Sequence, residues 1–196
     1  YIGKKNALPI LINGLKSLEY RGYDSAGIAY FANNKIEIIK EKGKVLELEK
    51  KIDFSKESNI GISHTRWATH GIANETNAHP HSCEKITLVH NGIIENYEIL
   101  KKELKEKGYN FYSETDSEVI AVLLNDLYKE NNIIDAINKT KEKLKGSYAL
   151  AILCSDHHDK IFALRKDSPL IIARDNKGSF VASDVPAFLE HTNKYS

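Results

Sequence analysis

Apolar residues at helical spacing form the first recognisable element of the chain. Leu8, Leu11 and Leu15 recur three or four positions apart and therefore fall on one face of an amphipathic helix. Pro9 lies near the start of this pattern, where its missing backbone N–H costs little. We therefore predict a helix over residues 6–20.

Shorter apolar segments separated by polar turns predict strands in two groups. In the first group, residues 25–31 and 35–40 flank the polar pair Asn33-Asn34 and predict a hairpin. The charged stretch 45–51 predicts a short surface helix. The remaining predicted strands are residues 59–64, 85–90, 146–154, 160–164, 170–173 and 179–182.

Three helical patterns separate the two groups of strands. The first, residues 96–107, ends before Gly108, a residue type that commonly follows a helix. The second, residues 117–129, follows Asp116, which we expect to cap its N-terminus. The third covers residues 133–144.

The order of helix, strands, helices and strands differs from strict strand–helix alternation. It favours an α+β fold, with antiparallel sheets and helices outside them, over a doubly wound parallel sheet. A long segment rich in His, Asn and Gly lies between the predicted strands that end at His64 and begin at Lys85. Loops of this length without secondary structure are usually functional or mobile.

The composition is that of a soluble globular protein. Of the 196 residues, 41% are hydrophobic and 28% are charged, and the net charge is +1. The chain is long enough for one sizeable core, and its charge gives no reason to expect nucleic acid or an acidic membrane as a partner. No apolar run approaches the ~20 residues of a membrane span. Two cysteines, Cys83 and Cys154, are too few for a disulfide framework, which favours a reducing cytoplasm.

Five polar clusters carry the candidate chemistry. Four of them are predicted to lie in loops or at strand ends, where functional residues concentrate, and the fifth precedes a helix. The clusters are residues 20–27, 64–71, 77–81, 90–96 and 113–116.

The cluster 64–71 combines a guanidinium, the only tryptophan, two hydroxyl groups and two imidazoles. The planar guanidinium of Arg66 suits a carboxylate, because it donates two parallel hydrogen bonds. Trp67 offers a flat wall or lid. The alternative is an exposed loop that closes at Gly71 and has no role in chemistry.

Asn91 and Gly92 follow a predicted strand and allow two interpretations. An Asn-Gly pair is first of all a turn signal. Alternatively, the Asn91 amide and the Gly92 N–H converge on one point and stabilise the oxyanion of a tetrahedral intermediate, at about 3 kcal/mol per donor. In that case glycine is needed because a residue without Cβ lets the backbone approach closely.

Asp116, the histidines and the cysteines each have a structural interpretation as well. A carboxylate at the place of Asp116 suits a substrate ammonium group as well as a helix cap. The histidines between residues 64 and 81 lack the tight spacing of zinc motifs, so we expect no metal. We expect both Cys83 and Cys154 to be inert, the second as a small core residue.

Taken together and in this order, the clusters resemble the glutaminase domain of the glucosamine-6-phosphate synthases, which are class II glutamine amidotransferases. The resemblance runs from Leu18 to Asp184. Its most specific strings are Arg-Gly-Tyr-Asp-Ser-Ala-Gly at residues 21–27 and His-Thr-Arg-Trp-Ala-Thr-His-Gly at residues 64–71. Related class II amidotransferases share the fold but differ in these segments.

The resemblance implies an N-terminal-nucleophile hydrolase fold, a four-layer αββα sandwich of two antiparallel sheets. It also implies that an N-terminal cysteine attacks the side-chain amide of L-glutamine, with its own α-amine as base, and that glutamate and ammonia are released without a cofactor. In this family the ammonia passes to a sugar-isomerase domain, which converts fructose 6-phosphate to glucosamine 6-phosphate. A homodimer is implied at full length.

The resemblance assigns substrate binding to five residues of this chain, one of which is Trp67. Arg66 is expected to bind the α-carboxylate of glutamine with help from Thr69 and His70. Asp116 is expected to bind the α-ammonium group.

Three further residues are assigned to the chemistry, and Trp67 is also assigned to the passage of ammonia. Asn91 and the N–H of Gly92 are expected to form the oxyanion hole. Trp67 is expected to lie at the ammonia gate, and Arg21 close to the strand that carries the nucleophile.

The resemblance also places the nucleophile outside residues 1–196. The family begins with Cys-Gly-Ile-Val-Gly immediately before a segment like Tyr1-Ile2-Gly3. We therefore expect a single glutaminase domain that is truncated at both ends and lacks the sugar-isomerase domain. The alternatives are a catalytically inactive glutamine-binding module and another class II amidotransferase.

Overall fold

The computed structural model describes residues 1–196. The strands are β1 (Ile2–Gly3), β2 (Ser25–Ala32), β3 (Lys35–Lys42), β4 (Gly61–Arg66), β5 (His81–Cys83), β6 (Ile86–Ile94), β7 (Gly146–Cys154), β8 (Phe162–Lys166), β9 (Ile171–Arg174) and β10 (Gly178–Ala182). The helices are α1 (Ala7–Leu18), α2 (Val45–Lys50), α3 (Tyr97–Glu106), α4 (Asp116–Tyr128) and α5 (Ile133–Lys143).

Helix α1 forms where the apolar spacing predicts it. The Asn6 side chain caps its N-terminus by accepting the N–H of Leu8 at 3.2 Å. The helix ends at Leu18, before the predicted end, because the 3-10 turn Glu19–Arg21 leads into Gly22, whose φ of 110° breaks the helical path. Its apolar face packs against β2 and β4.

Two antiparallel sheets form the centre of the molecule, and one of them has the order β5-β6-β7-β8. The other consists of the sets β3-β2-β4 and β1-β10-β9. Strand β1 joins these sets, because Ile2 pairs with Ser179 of β10 on one side and with Ile60, next to β4, on the other. The hairpin β2–β3 turns at Asn33-Asn34, and both residues have the positive φ of a type I′ turn.

Three separate cores define the layers. One packs α3, α4 and α5 against β6 and β7, and a second packs α1 and α2 against the sheet that contains β2 and β10. The third lies between the sheets and includes Phe31 and Ile62 from one and Val89 and Leu153 from the other. The order is therefore helices, sheet, sheet, helices, and the predicted α+β sandwich is confirmed.

Apart from the short strand β1, which was not predicted, and shifts of one or two residues at several strand ends, two strand predictions differ from the structure. Strand β6 was expected to end at His90 but continues to Ile94, which still pairs with Gly146 of β7. Strand β5 was not predicted, because its sequence has no apolar run and its pairing with residues 86–88 is its only support. No helix combines the length and the apolar character that a membrane span requires.

Candidate active site

A cavity of about 410 Å³ opens at one end of the sandwich, beside the ends of β4 and β6. Only 2 of its 17 lining residues are hydrophobic, so it differs from a core void and has the size of a small-molecule site. The structure brings all the site residues predicted from the sequence to this cavity. They are Arg21, Arg66, Trp67, Thr69, His70, Asn91, Gly92 and Asp116.

Arg66 is the last residue of β4, and its side chain is buried. Its guanidinium donates to the carbonyl groups of Gly71 and Ile72, at 3.1 Å each, and to that of His70. The Asp24 carboxylate lies 3.6 Å from Nη1. A buried cation held largely by neutral carbonyl groups suits a further anion, because a carboxylate adds charge–charge attraction and a bidentate geometry that a carbonyl group does not offer.

Two side chains without an assigned role fix the loop that Arg66 holds. Asn77 Nδ2 donates to the Ile72 carbonyl at 3.0 Å and to Glu114 Oε2 at 2.9 Å, and Asn77 Oδ1 accepts the N–H of Glu114 at 2.9 Å. Gly71 lies so close that a Cβ there would be 2.5 Å from the Asn77 amide. Both side chains belong to polar clusters of the sequence, but the clusters give no sign that they meet across 37 positions.

Asn91 and Gly92 lie within β6, opposite Ala149 and Tyr148 of β7. The turn interpretation of this pair is therefore wrong. Gly92 has a φ of 138°, and a Cβ there would lie 2.1 Å from the Ser147 carbonyl oxygen, so only glycine fits. Glycine is thus needed at residue 92 because the backbone of β6 lies close to the backbone of the neighbouring strand β7.

Asp116 is the first residue of α4, and its predicted role as the helix cap is wrong. Thr115 caps the helix by accepting the N–H of Glu118 at 3.2 Å. The buried Asp116 carboxylate instead accepts the N–H of Ile94 at 2.8 Å. One of its oxygens lies 3.8 Å from His70 Nδ1, and no lysine or arginine forms an ion pair with it. The carboxylate therefore faces the cavity available for a cation.

Three buried histidines, His79, His81 and His90, and the partly buried His64 lie along and behind the cavity wall. His64 and His79 stack with ring centroids 4.0 Å apart, and His81 meets His79 edge to face at 4.8 Å. Burial lowers the pKa of His64 to about 3 and the pKa of His90 to about 4, and it lowers those of His79 and His81 well below their ordinary value. All four rings are therefore neutral at pH 7. They are not arranged as a metal-binding group.

Arg21 and Trp67 lie at the mouth of the cavity. Arg21 Nη2 donates to Ser183 Oγ at 2.7 Å, and its Nη1 lies 3.9 Å from the Asp184 carboxylate. Trp67 is 69% exposed, and its ring covers Gly22 so closely that a Cβ there would overlap it. The indole therefore forms a wall between the cavity and solvent.

A second, narrower cavity of about 130 Å³ reaches from Tyr1 to the first. It lies between residues 62–65 of β4 and residues 180–182 of β10, and Asn91 lines both cavities. Tyr1, which lines this cavity, exchanges two backbone hydrogen bonds of 3.0 Å with Gly61. Its walls thus include two facing strand edges.

Neither cysteine lines the larger cavity. Burial raises the pKa of the half-buried Cys83 thiol to about 11 and also raises the pKa of the buried Cys154 thiol. Both thiols are therefore protonated at neutral pH, which agrees with the expectation that neither is a nucleophile.

Comparison with known proteins finds a family model and individual relatives that agree with each other. Residues 64–190 match the model of the glutamine amidotransferase domain family. The chain is 54% identical to the isomerizing glutamine–fructose-6-phosphate aminotransferase of Clostridium acetobutylicum and 52% identical to that of Pyrococcus horikoshii. These alignments cover 98% and 99% of this chain, but 32% and 33% of the relatives. The chain therefore spans about a third of the length of the curated relatives it matches.

Solved structures give the same assignment for the fold. The chain is similar to the glutamine phosphoribosylpyrophosphate amidotransferase of B. subtilis, with a TM-score of 0.81 and 29% identity over 95% of this chain and 41% of that one. A class II glutamine aminotransferase domain protein of Silicibacter pomeroyi has the fold at a TM-score of 0.59 and 18% identity, over 81% of this chain and 79% of its own. The predicted fold class is therefore confirmed.

Proposed function

Because the chain belongs to the family of glutamine amidotransferase domains, we propose that it is the glutaminase domain of a glutamine–fructose-6-phosphate aminotransferase. In this proposal it hydrolyses L-glutamine to L-glutamate, and the ammonia converts fructose 6-phosphate to glucosamine 6-phosphate, the first step of hexosamine synthesis. One observation carries the proposal: Arg66, Asp116 and the pair Asn91-Gly92 line a single cavity. It contains a cation for a carboxylate, an anion for an ammonium group and donors for an oxyanion.

The ends of the substrate are assigned to the two buried charges. Arg66 binds the α-carboxylate, with Thr69 and His70 on the same wall. Since the guanidinium contacts loop carbonyl groups in this structure, a carboxylate replaces at least one of them and adds the attraction between two opposite charges. Asp116 binds the α-ammonium group on its cavity side.

The nucleophile is assigned to a segment before Tyr1. Tyr1 pairs with Gly61, so in an antiparallel continuation each preceding residue falls opposite the next residue of β4. The fifth residue before Tyr1, which the resemblance gives as cysteine, then lies opposite Arg66, where the narrow cavity meets the larger one. Strand edges along the narrow cavity suit such a segment, because unpaired backbone groups favour an added strand.

The proposed reaction passes through a thioester. The cysteine sulfur attacks the side-chain carbonyl carbon of glutamine, and the thiol proton moves to the α-amine of the same cysteine and then to the leaving nitrogen, which departs as ammonia. The Asn91 amide and the Gly92 N–H donate to the substrate oxygen while it carries negative charge. Water then hydrolyses the thioester and releases glutamate.

Arg21 and Trp67 complete the proposed site. Arg21 bonds to Ser183, just beyond β10, and so orders the backbone beside the strand that carries the nucleophile. Trp67 forms the ammonia gate, as supported by its exposed position at the cavity mouth. In the intact protein, which we propose to be a cytoplasmic homodimer, a sugar-isomerase domain receives the ammonia. No metal or other cofactor takes part.

Isotope transfer tests this proposal. The intact protein is incubated with fructose 6-phosphate and with L-glutamine that carries heavy nitrogen in its side-chain amide. We expect labelled glucosamine 6-phosphate and an equal amount of glutamate. Labelled phosphoribosylamine formed from added phosphoribosylpyrophosphate, without labelled sugar, would indicate another class II amidotransferase. Glutamine binding without glutamate would indicate an inactive binding module, and either result contradicts the proposal.

A further inference from the structure

Strand β6 loses its neighbour on one edge before it reaches the cavity. Strand β5 pairs with it only at residues 86–88, opposite residues 81–83, whereas β7 accompanies it to Ile94. The N–H groups of a strand point alternately to its two edges. Because the Glu95 N–H donates to the Lys145 carbonyl on the β7 side, the even-numbered N–H groups of β6 point to the edge that β5 leaves open.

Two buried side chains take the place of the missing strand on this edge. The His90 N–H donates to Nδ1 of His79 at 3.2 Å, and the Ile94 N–H donates to Oδ2 of Asp116 at 2.8 Å. Gly92 lies between these two anchored positions. No side chain and no loop carbonyl accepts its N–H. The Gly92 N–H thus remains on the cavity side, where the proposed oxyanion forms.

The place of His79 follows the register of the sheet. His81 pairs with Leu88, so a continued β5 would set residue 79 opposite His90. The imidazole of residue 79 instead occupies the position of a strand acceptor. It is held there by the stacked ring of His64, and its carbonyl oxygen fits against Gly27, where a Cβ would lie 1.8 Å away.

The hydrogen bond to His90 determines the charge and the tautomer of His79. A ring nitrogen that accepts a backbone N–H carries no proton, so the single proton lies on Nε2 and the ring is neutral. Burial lowers the pKa of His79 well below its ordinary value, which keeps this form at neutral pH. Replacement or protonation of the ring would leave the His90 N–H without an acceptor.

We propose that His79 is a positioning residue for the oxyanion hole, whose Nδ1 holds β6 at His90 so that the Asn91 amide and the Gly92 N–H face the reacting carbonyl. The inference rests on the proposed function. Because His79 acts through β6 on donors that matter only when the oxyanion forms, its loss lowers kcat and leaves KM nearly unchanged.

Three variants of the intact protein separate this role from a merely structural one. His79→Leu removes the acceptor, His79→Asn offers an oxygen near the place of Nδ1, and His79→Gln offers it near the place of Nε2. Glutamate release gives kcat and KM. The kcat is divided by the number of sites that a diazoketone analogue of glutamine labels to completion, counted by mass spectrometry, so that unfolded protein does not lower the value.

We expect His79→Leu to lower kcat per labelled site by about 10- to 100-fold, as a small displacement of catalytic groups does. His79→Asn is expected to recover most of this loss, and His79→Gln is not. A wild-type kcat per labelled site in His79→Leu, or equal values for the Asn and Gln variants, overturns the assignment. If His79→Leu does not fold, the comparison of Asn with Gln decides alone. A wild-type protein that forms no glutamate rejects the proposed function itself.

Discussion

The Asp116 carboxylate accepts the backbone N–H of Ile94 at 2.8 Å and thereby joins the first residue of α4 to the last residue of β6. The same carboxylate lines the cavity as the proposed site for the substrate ammonium group. Strand β6 carries Asn91 and Gly92. One buried side chain therefore connects the proposed binding site to the strand that carries the proposed oxyanion donors.

The Asp116→Asn substitution separates the two contacts of this side chain. An amide oxygen still accepts the Ile94 N–H, but the negative charge is lost. We expect KM for L-glutamine to rise by about 30-fold or more, because loss of one partner of a buried charge pair costs about 2 kcal/mol or more. Glutamate release at varied glutamine concentration measures KM. An unchanged KM would place the ammonium group elsewhere.

Arg66→Ala removes the proposed carboxylate partner and the anchor of the loop that follows β4. We expect KM to rise by at least about 30-fold for the same reason, and the melting temperature to fall. Arg165→Ala, at an exposed position on β8, is the matched control and leaves both values unchanged. Wild-type kinetics in Arg66→Ala would exclude the role.

Asn91→Ala removes a proposed oxyanion donor. We expect kcat to fall by ~100-fold or more, with little change in KM, because the donor acts on charge that develops only in the transition state. Steady-state kinetics of glutamate release separates the two constants. An effect confined to KM would mean that Asn91 takes no part in the chemistry.

Gly92→Ala tests the backbone of β6. The added Cβ clashes with the Ser147 carbonyl, and the φ of 138° at this position is one that alanine rarely adopts. We therefore expect a loss of about 3 kcal/mol in the free energy of unfolding. Gly43→Ala is the control, since Gly43 also has a positive φ but open space around its Cβ, and about 1 kcal/mol is expected there. Urea unfolding measures both, and equal losses would show that the contact with Ser147 is unimportant.

The lowered pKa values of His64 and His90 predict how stability depends on pH. The pKa of His64, about 3, and that of His90, about 4, lie below the ordinary 6.5 because burial disfavours the charged ring. Between pH 6.5 and these two values, the unfolded chain therefore binds more protons than the folded protein. The contribution of the two neutral rings to the free energy of unfolding is complete above pH 6.5. It falls as the pH approaches 4, by up to about 1.4 kcal/mol per pH unit for each ring.

Urea unfolding at a series of pH values checks this dependence. His64→Leu is expected to make it shallower, whereas the same change at the exposed His158 leaves it as it is. A free energy of unfolding that stays constant from pH 7 to pH 5 would contradict the account.

The elements supported by local pattern could be predicted from the sequence. Helix α1 follows from apolar spacing, and the β2–β3 hairpin from the Asn33-Asn34 turn. The end of β6 could not be predicted, since an Asn-Gly pair signals a turn and only pairing with β7 keeps Asn91 and Gly92 extended. The cap of α4 was misplaced by one residue, because Thr115 and Asp116 are both suitable capping types.

The site residues were predicted as clusters, but most of their contacts were not. The hydrogen bonds from Asn77 to Glu114 and from His90 to His79 join separate loops and strands, and sequence spacing carries no signal for them. Likewise, no sequence pattern predicts that a side chain will accept a backbone N–H in place of the carbonyl group of a neighbouring strand. Only the sheet register, known from the structure, shows why His79 lies where it does.

Labelling of the intact protein with a diazoketone analogue of glutamine tests the central claim most directly. The reagent alkylates the thiolate that attacks glutamine, and mass spectrometry of the digest locates it. We predict one label per chain, on a cysteine that precedes Tyr1, and complete loss of glutamate formation. A label on Cys83 or Cys154, or glutamate formation that survives full labelling, would contradict the account.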